Sequence, residues 1–215
     1  DYWIQVAETL ERGTIDAVFF ADVLGIYDVY GGSSDAAIRG GIQFPVNDPL
    51  QLIPAMAAAT KNLGFGVTAS VSFEHPYPFA RRMSTLDHLT RGRIAWNVVT
   101  SYLNSGALNL GVSTQVAHDR RYDMAIEWLE IIKKLWTSDE EFNFDGAFYR
   151  VQNARLKPKP IQRPYPVVMS AGASLRGRQF AAQFAYVGVT NLDAFDLPST
   201  RARVDSFRKL ASEEH

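Results

Sequence analysis

The 215-residue sequence contains no cysteine, and this absence excludes several kinds of site. Disulfides, thiolate nucleophiles and cysteine-ligated metal centres all need that residue. Only four histidines are present, and no two of them have the spacing of paired metal ligands. We therefore expect no metal site. The lack of thiols is compatible with a cytoplasmic location, which is the location we expect.

The sequence also lacks an excess of charge and long hydrophobic runs. Lys and Arg number 22 against 23 Asp and Glu, which gives a net charge of −1. Bulk charge therefore provides no attraction for nucleic acid or an anionic membrane. No apolar run is long enough to span a bilayer, and no segment resembles a signal peptide. We expect neither nucleic acid nor a membrane as a partner.

Continuous apolar runs alternate with helical patterns along the chain. The runs predict five strands, over residues 15–20, 63–72, 94–99, 164–170 and 186–190. Apolar residues at helical spacing predict helices between them, most clearly over residues 118–136. Strands that are apolar throughout indicate a parallel sheet covered on both faces. Two closures remain open at this point, a doubly wound sheet and a (β/α)8 barrel.

The number of strands and the two ends of the sequence bear on that choice. A (β/α)8 barrel has eight strands, and only five are predicted. The first residues already follow a helical pattern and the last ones contain no strand, so we expect part of the domain to be missing. The glycine fingerprint of a dinucleotide-binding sheet is absent. We expect one incomplete α/β domain over residues 1–215, with residues 140–166 as an excursion across its top.

Residues 85–101 join a helix end to a strand with polar residues at its carboxyl end. Gly92 suits the left-handed position that ends a helix. The following strand contains Asn97 and leads to Ser101. Because α/β barrels carry their chemistry at the carboxyl ends of strands, Asn97 is a candidate catalytic residue.

A run of small residues follows the fourth predicted strand. Ser170, Gly172 and Ser174 precede a helix, where a backbone can approach a ligand closely. The start of a helix offers free N–H groups and a positive dipole end, which favour a phosphate. The alternative is structural, with Ser174 as the cap of a tight turn. The motif alone leaves both interpretations open.

Three further side chains are candidates for ligand contacts. His118 and Tyr122 lie four residues apart on one face at the start of the long helix, although a solvated first turn is the alternative. His75 follows the second strand in an aromatic loop and is either a pocket residue or part of a turn. No nucleophile elbow or paired carboxylates occur. The pattern favours a protein that holds a phosphorylated cofactor.

Four segments carry a close resemblance to one family. They are residues 19–30, 45–50, 84–101 and 118–123. Together they resemble the bacterial luciferase-like flavin monooxygenases, in the branch with nitrilotriacetate, dibenzothiophene-sulfone and long-chain alkane monooxygenases. The resemblance implies a (β/α)8 TIM barrel, seen as a partial chain that lacks the first strand and the C-terminal strands.

The resemblance also implies a two-component, homo-oligomeric monooxygenase. A separate NAD(P)H:FMN reductase would supply reduced FMN (FMNH2), and O2 would act through a C4a-peroxyflavin on a small organic substrate. The family pattern implies FMN contacts at Asp22, Thr68, Asn97, His118, Tyr122 and Ser174. Tyr122 and Ser174 would serve the phosphate, where Ser170 and Gly172 join them. A cis peptide bond not involving proline is implied near Ala69–Ser70.

The candidates for catalysis are Asn97, Tyr102 and His75. Tyr102 stands where the alkane branch has a histidine, which counts against alkane hydroxylation. Five aromatic residues are candidates for an apolar substrate wall: Tyr27, Phe73, Tyr77, Trp96 and Tyr102. Two alternatives to the monooxygenase remain, a deazaflavin-dependent hydride-transfer enzyme and a non-catalytic flavin-binding protein.

Overall fold

The computed structural model describes residues 1–190 and 196–214. Its elements in chain order are α1 (Tyr2–Arg12), β1 (Ala17–Phe20), α2 (Asp35–Gly40), α3 (Pro49–Ala58), β2 (Gly64–Ser70), α4 (Pro76–Leu89), β3 (Ile94–Val99), α5 (Asn104–Asn109), α6 (His118–Thr137), β4 (Phe142–Asp145), β5 (Arg150–Ala154), β6 (Val167–Ser170), α7 (Leu175–Phe184), β7 (Val187–Gly188) and α8 (Leu197–Glu214). Among the described residues, no helix is long and apolar enough to cross a membrane.

The central sheet has five strands in the order β1-β2-β3-β6-β7, the same order as in the chain. All four neighbouring pairs are parallel, so the predicted strands and their direction are confirmed. A doubly wound sheet reverses its strand order in the middle, whereas a barrel keeps it sequential. The sequential order therefore favours part of a barrel over a doubly wound sheet.

The helices form one layer on one face of the sheet. Helices α1, α3, α4, α6, α7 and α8 each pack against the next in that series. On the opposite face, Phe19 of β1 is 45% exposed and pairs in register with Gly66 of β2. The helices therefore cover one of the two faces that the sequence predicted to be buried. The second face is the inner face of the partial barrel.

The core between sheet and helices is rich in aromatic residues. Trp96 of β3 lies 4.6 Å from Phe79 and 5.3 Å from Trp128, measured between ring centroids. Its indole N–H donates to the carbonyl of Ala69 at 3.1 Å. Trp96 therefore faces the helices and is fully buried there. The prediction that it belongs to a substrate wall was wrong, because strand alternation turns it to the other face.

Two charged side chains form hydrogen bonds that stabilise the amino-terminal end of β3. The buried Asp87 carboxylate accepts the Gln162 backbone N–H at 2.9 Å and its amide Nε2 at 2.6 Å. Arg93 donates to the carbonyls of Ala57, Leu63 and Thr90 at 2.9, 2.8 and 2.8 Å. This end of a barrel strand serves stability rather than chemistry. Both residues are therefore structural.

The excursion between α6 and β6 contains an antiparallel hairpin of β4 and β5 that the sequence reading did not predict. Its turn is held by Glu127 of α6, whose carboxylate accepts backbone N–H groups of Ala147, Phe148 and Tyr149 at 2.8, 2.9 and 3.1 Å. Carboxylates that accept several backbone N–H groups make strong, charge-assisted bonds. The hairpin is thereby attached to the helix layer.

Other differences from the sequence predictions are small or local. The six-residue helices α2 and α5 were not predicted. Strand β6 begins at Val167 rather than at residue 164, because Pro164 and Pro166 lack the N–H that a ladder needs. The described cis peptide bonds precede Pro45, Pro158 and Pro164. The expectation of a cis bond near Ala69–Ser70 was therefore wrong.

The carboxylate of Glu11 provides a test of stability against pH. It accepts the backbone N–H groups of Lys61, Asn62 and Leu63 at 2.8, 2.5 and 3.1 Å. These hydrogen bonds, the one from Asn62 first, lower the pKa of Glu11 below its ordinary value of 4.5. A lowered folded-state pKa means that this stabilisation is present above the unfolded pKa and is lost as pH falls through the folded one.

We expect Glu11→Gln to be less stable than the wild-type protein at pH 7, and the difference to shrink as pH falls below 4.5. Urea unfolding at a series of pH values measures it. The glutamine side chain does not titrate, so it serves as its own control. A difference that stays constant over this range would contradict the assignment.

Candidate functional site

A cavity of about 570 Å³ opens at the carboxyl ends of β1, β2 and β3. This size is typical of a site for a small organic ligand. Its apolar lining includes Val23, Leu24, Val46, Leu50, Phe73, Val99, Leu103 and Leu110. Its polar and charged lining includes Asp22, Asn47, Asp48, Thr68, Ser70, Glu74, Arg82, Ser101 and Tyr102. Barrel enzymes place their chemistry at this end of the strands.

Two polar side chains of neighbouring strands meet on the inner face of the sheet. Thr68 of β2 and Asn97 of β3 are partners in register, and Asn97 Nδ2 donates to Thr68 Oγ1 at 3.0 Å. They are only 5% and 3% exposed. Asn97 Oδ1 is buried and has no hydrogen-bond partner among the described residues. Because an unpaired buried acceptor is costly, this oxygen indicates a donor supplied by a ligand.

Asp22 follows β1 and lines the cavity. Its burial is the main cause that raises its pKa above the ordinary value, and the charge of Asp48 adds to this. The backbone N–H of Val23 acts in the opposite direction. Burial and the neighbouring acid thus both disfavour the charged form of this carboxyl group.

Tyr102 lines the cavity, and its hydroxyl group is hydrogen-bonded. Its hydroxyl makes a short hydrogen bond to the hydroxyl of Tyr27, which in turn lies 3.4 Å from Gln43 Oε1. Burial, followed by the bond to Tyr27, raises the pKa of Tyr102 to about 12. The phenol therefore keeps its proton at neutral pH. It can position a ligand, but it does not act there as a base.

A second group of predicted residues meets where β6 ends and α7 begins. A Cβ atom added at Gly177 would lie 2.7 Å from the Tyr122 hydroxyl and 2.8 Å from Gly172 Cα. The hydroxyl of Ser174 accepts the Gly177 N–H at 3.0 Å. Tyr122, Gly172 and Ser174 therefore surround one glycine at the start of a helix. Ser174 therefore caps α7, which is the structural interpretation of this residue.

The remaining residues of this group differ in placement. The His118 ring lies 5.2 Å from that of Tyr122, and its Nδ1 contacts an oxygen of Asp119 at 2.6 Å. Ser170 is buried on the face that the helices cover, next to Val98 in register, and not on the inner face. Its side chain therefore does not face the interior of the partial barrel.

His75 does not line the cavity. Its ring caps α4, with the Tyr77 N–H 3.5 Å from Nδ1, and lies 6.2 Å from the ring of Tyr149. The structural alternative for His75 is the one that these contacts favour. Of the predicted aromatic wall, Phe73 and Tyr102 line the cavity.

Sequence reasoning missed a charged pair in the cavity wall. Arg82 of α4 bonds to Glu74 through two contacts, Nη2 to Oε1 at 2.7 Å and Nη1 to Oε2 at 3.1 Å. The two residues are eight apart in the sequence, and Arg82 lies in a helix. Their spacing gave no usable signal, because Glu74 lies in a loop whose path the sequence does not reveal.

Comparisons with known proteins identify the family and the fold of the chain. A family model described as luciferase-like monooxygenase matches residues 1–215. Dimethyl-sulfide monooxygenase of Hyphomicrobium sulfonivorans is 50% identical over 206 residues, which are 86% of this chain and 43% of the relative. The crystal structure of a long-chain alkane monooxygenase superposes with a TM-score of 0.93 at 46% identity, covering 99% of this chain and 53% of that one.

A third relative is a riboflavin lyase whose crystal structure contains modified FMN and riboflavin. It superposes with a TM-score of 0.89 at 34% identity, covering 99% of this chain and 52% of that one. The chain spans about half the length of the curated relatives it matches. The barrel-type fold predicted from the sequence is thus confirmed, as part of a barrel.

Proposed function

Because the chain belongs to the luciferase-like monooxygenase family, we propose that it acts as an FMNH2-dependent monooxygenase. A separate NAD(P)H:FMN reductase would supply the reduced flavin, and O2 would oxygenate a small organic substrate. The observation that carries the proposal is the unpaired buried Oδ1 of Asn97 beside the cavity. A ligand that brings a hydrogen-bond donor to this oxygen would satisfy it.

The residues present fit FMN at two places. The phosphate would lie at the start of α7, held by the Ser174 and Tyr122 hydroxyls and by backbone N–H groups near Gly172. The closeness of Gly172 and Gly177 leaves no room for a Cβ there. The ring would lie near Thr68 and Asn97, where Asn97 Oδ1 would accept from a ring N–H. Bound reduced FMN would supply the two electrons that O2 activation needs.

The other residues of the cavity would bind the substrate and exclude water. Phe73, Val99 and Leu103 form apolar wall next to the polar pair on β2 and β3. Excluding water prevents reducing equivalents from being lost as hydrogen peroxide. Tyr102 would hold the substrate through its hydroxyl and keep its proton, because its pKa is raised to about 12.

Isotope labelling distinguishes this proposal from its two alternatives. The protein is supplied with reduced FMN and ¹⁸O2, and a panel of organic sulfides and n-alkanes is tested for product. A monooxygenase places one ¹⁸O atom in the product and one in water, while FMNH2 is oxidised to FMN. Reduction of an added carbonyl compound to its alcohol by reduced deazaflavin, with no need for O2, would support hydride transfer. Flavin binding with every O2 recovered as peroxide would support a binding protein.

A further inference from the structure

We propose that the cavity selects a neutral organic substrate and rejects one that carries a carboxylate. This inference rests on the proposed function, since it concerns the substrate of the same site. The charged residues that line the cavity are Asp22, Asp48, Glu74 and Arg82. Three of the four are acids, so the wall opposes an anionic substrate by charge alone.

Among the described residues, Arg82 is the one cation that lines the cavity, and its guanidinium already contacts a carboxylate. Both terminal nitrogens of Arg82 contact the Glu74 carboxylate, at 2.7 and 3.1 Å. Such a two-point contact satisfies the geometry that a substrate carboxylate would otherwise use. No other Lys or Arg lines the cavity within the described part of the chain. A carboxylate entering it would find no free cation.

The pair is fixed in place, which makes exchange with a substrate costly. The Glu74 carbonyl accepts the Trp128 indole N–H at 2.7 Å, and Trp128 is fully buried. The Glu74 and Arg82 side chains are 26% and 39% exposed. Turning Arg82 toward a substrate would leave the Glu74 carboxylate unpaired in a half-buried site. Leaving a charge without its partner is a common means of rejecting the wrong ligand.

The two other acids cannot help an anion either. Asp48 caps α3, with Oδ1 2.9 Å from the Leu50 N–H, and its charge already contributes to the raised pKa of Asp22. A further anion would add to this repulsion. Much of the remaining wall is apolar, including Phe73, Val99 and Leu103. A neutral molecule loses little on leaving water for such a surface.

Two sulfides of similar shape test the selection. Isopentyl methyl sulfide and methylthiopropanoate differ mainly in replacing an isopropyl end by a carboxylate. Their binding to the FMN-loaded protein is measured by calorimetry, which does not require turnover. We expect the neutral sulfide to bind roughly tenfold more tightly or better. Equal affinity, or preference for the carboxylate, would overturn the inference.

The Glu74→Gln variant should change that preference in a predicted direction. It leaves Arg82 without its carboxylate partner, so methylthiopropanoate should bind about tenfold more tightly than to the wild type. The Arg82→Gln variant is the matched control, because it removes the cation and should gain no affinity for the carboxylate. If Glu74→Gln does not fold, the affinities of the wild-type protein for the two sulfides still test the selection. An unchanged carboxylate affinity in a folded variant would contradict the role of the pair.

Failure of the proposed function has a different signature. The same two sulfides are incubated with reduced FMN and ¹⁸O2, and labelled product is measured. Absence of labelled product together with a clear binding preference would refute the monooxygenase activity and leave the selection intact. Labelled product from both sulfides, together with equal affinities for them, would support the monooxygenase activity and refute the selection.

Discussion

The Arg93→Met variant is expected to unfold at a much lower urea concentration than the wild-type protein. Arg93 donates to four backbone carbonyls, of Ala57, Thr60, Leu63 and Thr90, and to the Thr60 hydroxyl. Methionine retains the apolar stem and removes every donor. Since acceptors in four chain positions lose a charged partner, the free energy of unfolding should fall by about 3 kcal/mol or more.

Arg91 provides the matched control, because it is exposed and only two residues away. We expect Arg91→Met to change the free energy of unfolding by less than about 0.5 kcal/mol. Urea denaturation followed by tryptophan fluorescence measures both variants. Equal stability of the two variants would show that the hydrogen bonds of Arg93 do not stabilise the fold.

The Gly172→Ala variant should lose most of its affinity for FMN. An added Cβ would lie 2.6–2.7 Å from backbone atoms of Gly177, and backbone cannot move aside as a flexible side chain can. The turn must then move away from the start of α7, and the phosphate loses N–H donors. Loss of two charge-assisted hydrogen bonds corresponds to roughly 100-fold weaker binding. Quenching of flavin fluorescence on titration measures the affinity.

Two controls separate this effect from general damage. Gly13→Ala changes a glycine with φ −78°, where an added Cβ meets nothing closer than 3.4 Å, and it should leave FMN binding unchanged. Riboflavin lacks the phosphate, so its weaker affinity should be nearly the same for Gly172→Ala and the wild type. If Gly172→Ala weakens both flavins equally, the phosphate does not bind at this turn.

The fold was largely readable from the sequence because its signals are local. Continuous apolar runs gave the five strands, and the helix before β3 ends as expected, with Gly92 at φ 78°. The hairpin of β4 and β5 was missed although Asp145-Gly146 is a common turn pair, because its strands contain polar residues and are not continuous apolar runs. Trp96 was misplaced because a strand that is apolar throughout does not reveal which face each residue takes.

The candidate site was readable only in part. Asn97 and Thr68 were predicted separately, and the structure brings them into register. The Glu74–Arg82 pair could not be predicted, because it depends on how a loop returns over the sheet. Asp87 lies within residues 85–101 but was not predicted to be important, because its partner Gln162 is 75 residues away. Contacts between distant segments are set by packing, which one sequence does not show.

The fate of reduced FMN in oxygen tests the proposed function most directly. The protein is loaded with reduced FMN without oxygen and mixed rapidly with oxygenated buffer, while the absorbance of oxidised flavin is followed. Because the proposed role of the cavity wall is to exclude water from the flavin, we predict that oxidised flavin appears much more slowly than from free reduced FMN in the same buffer. Return of oxidised flavin at the rate of free FMN, with all oxygen recovered as hydrogen peroxide, would contradict a monooxygenase.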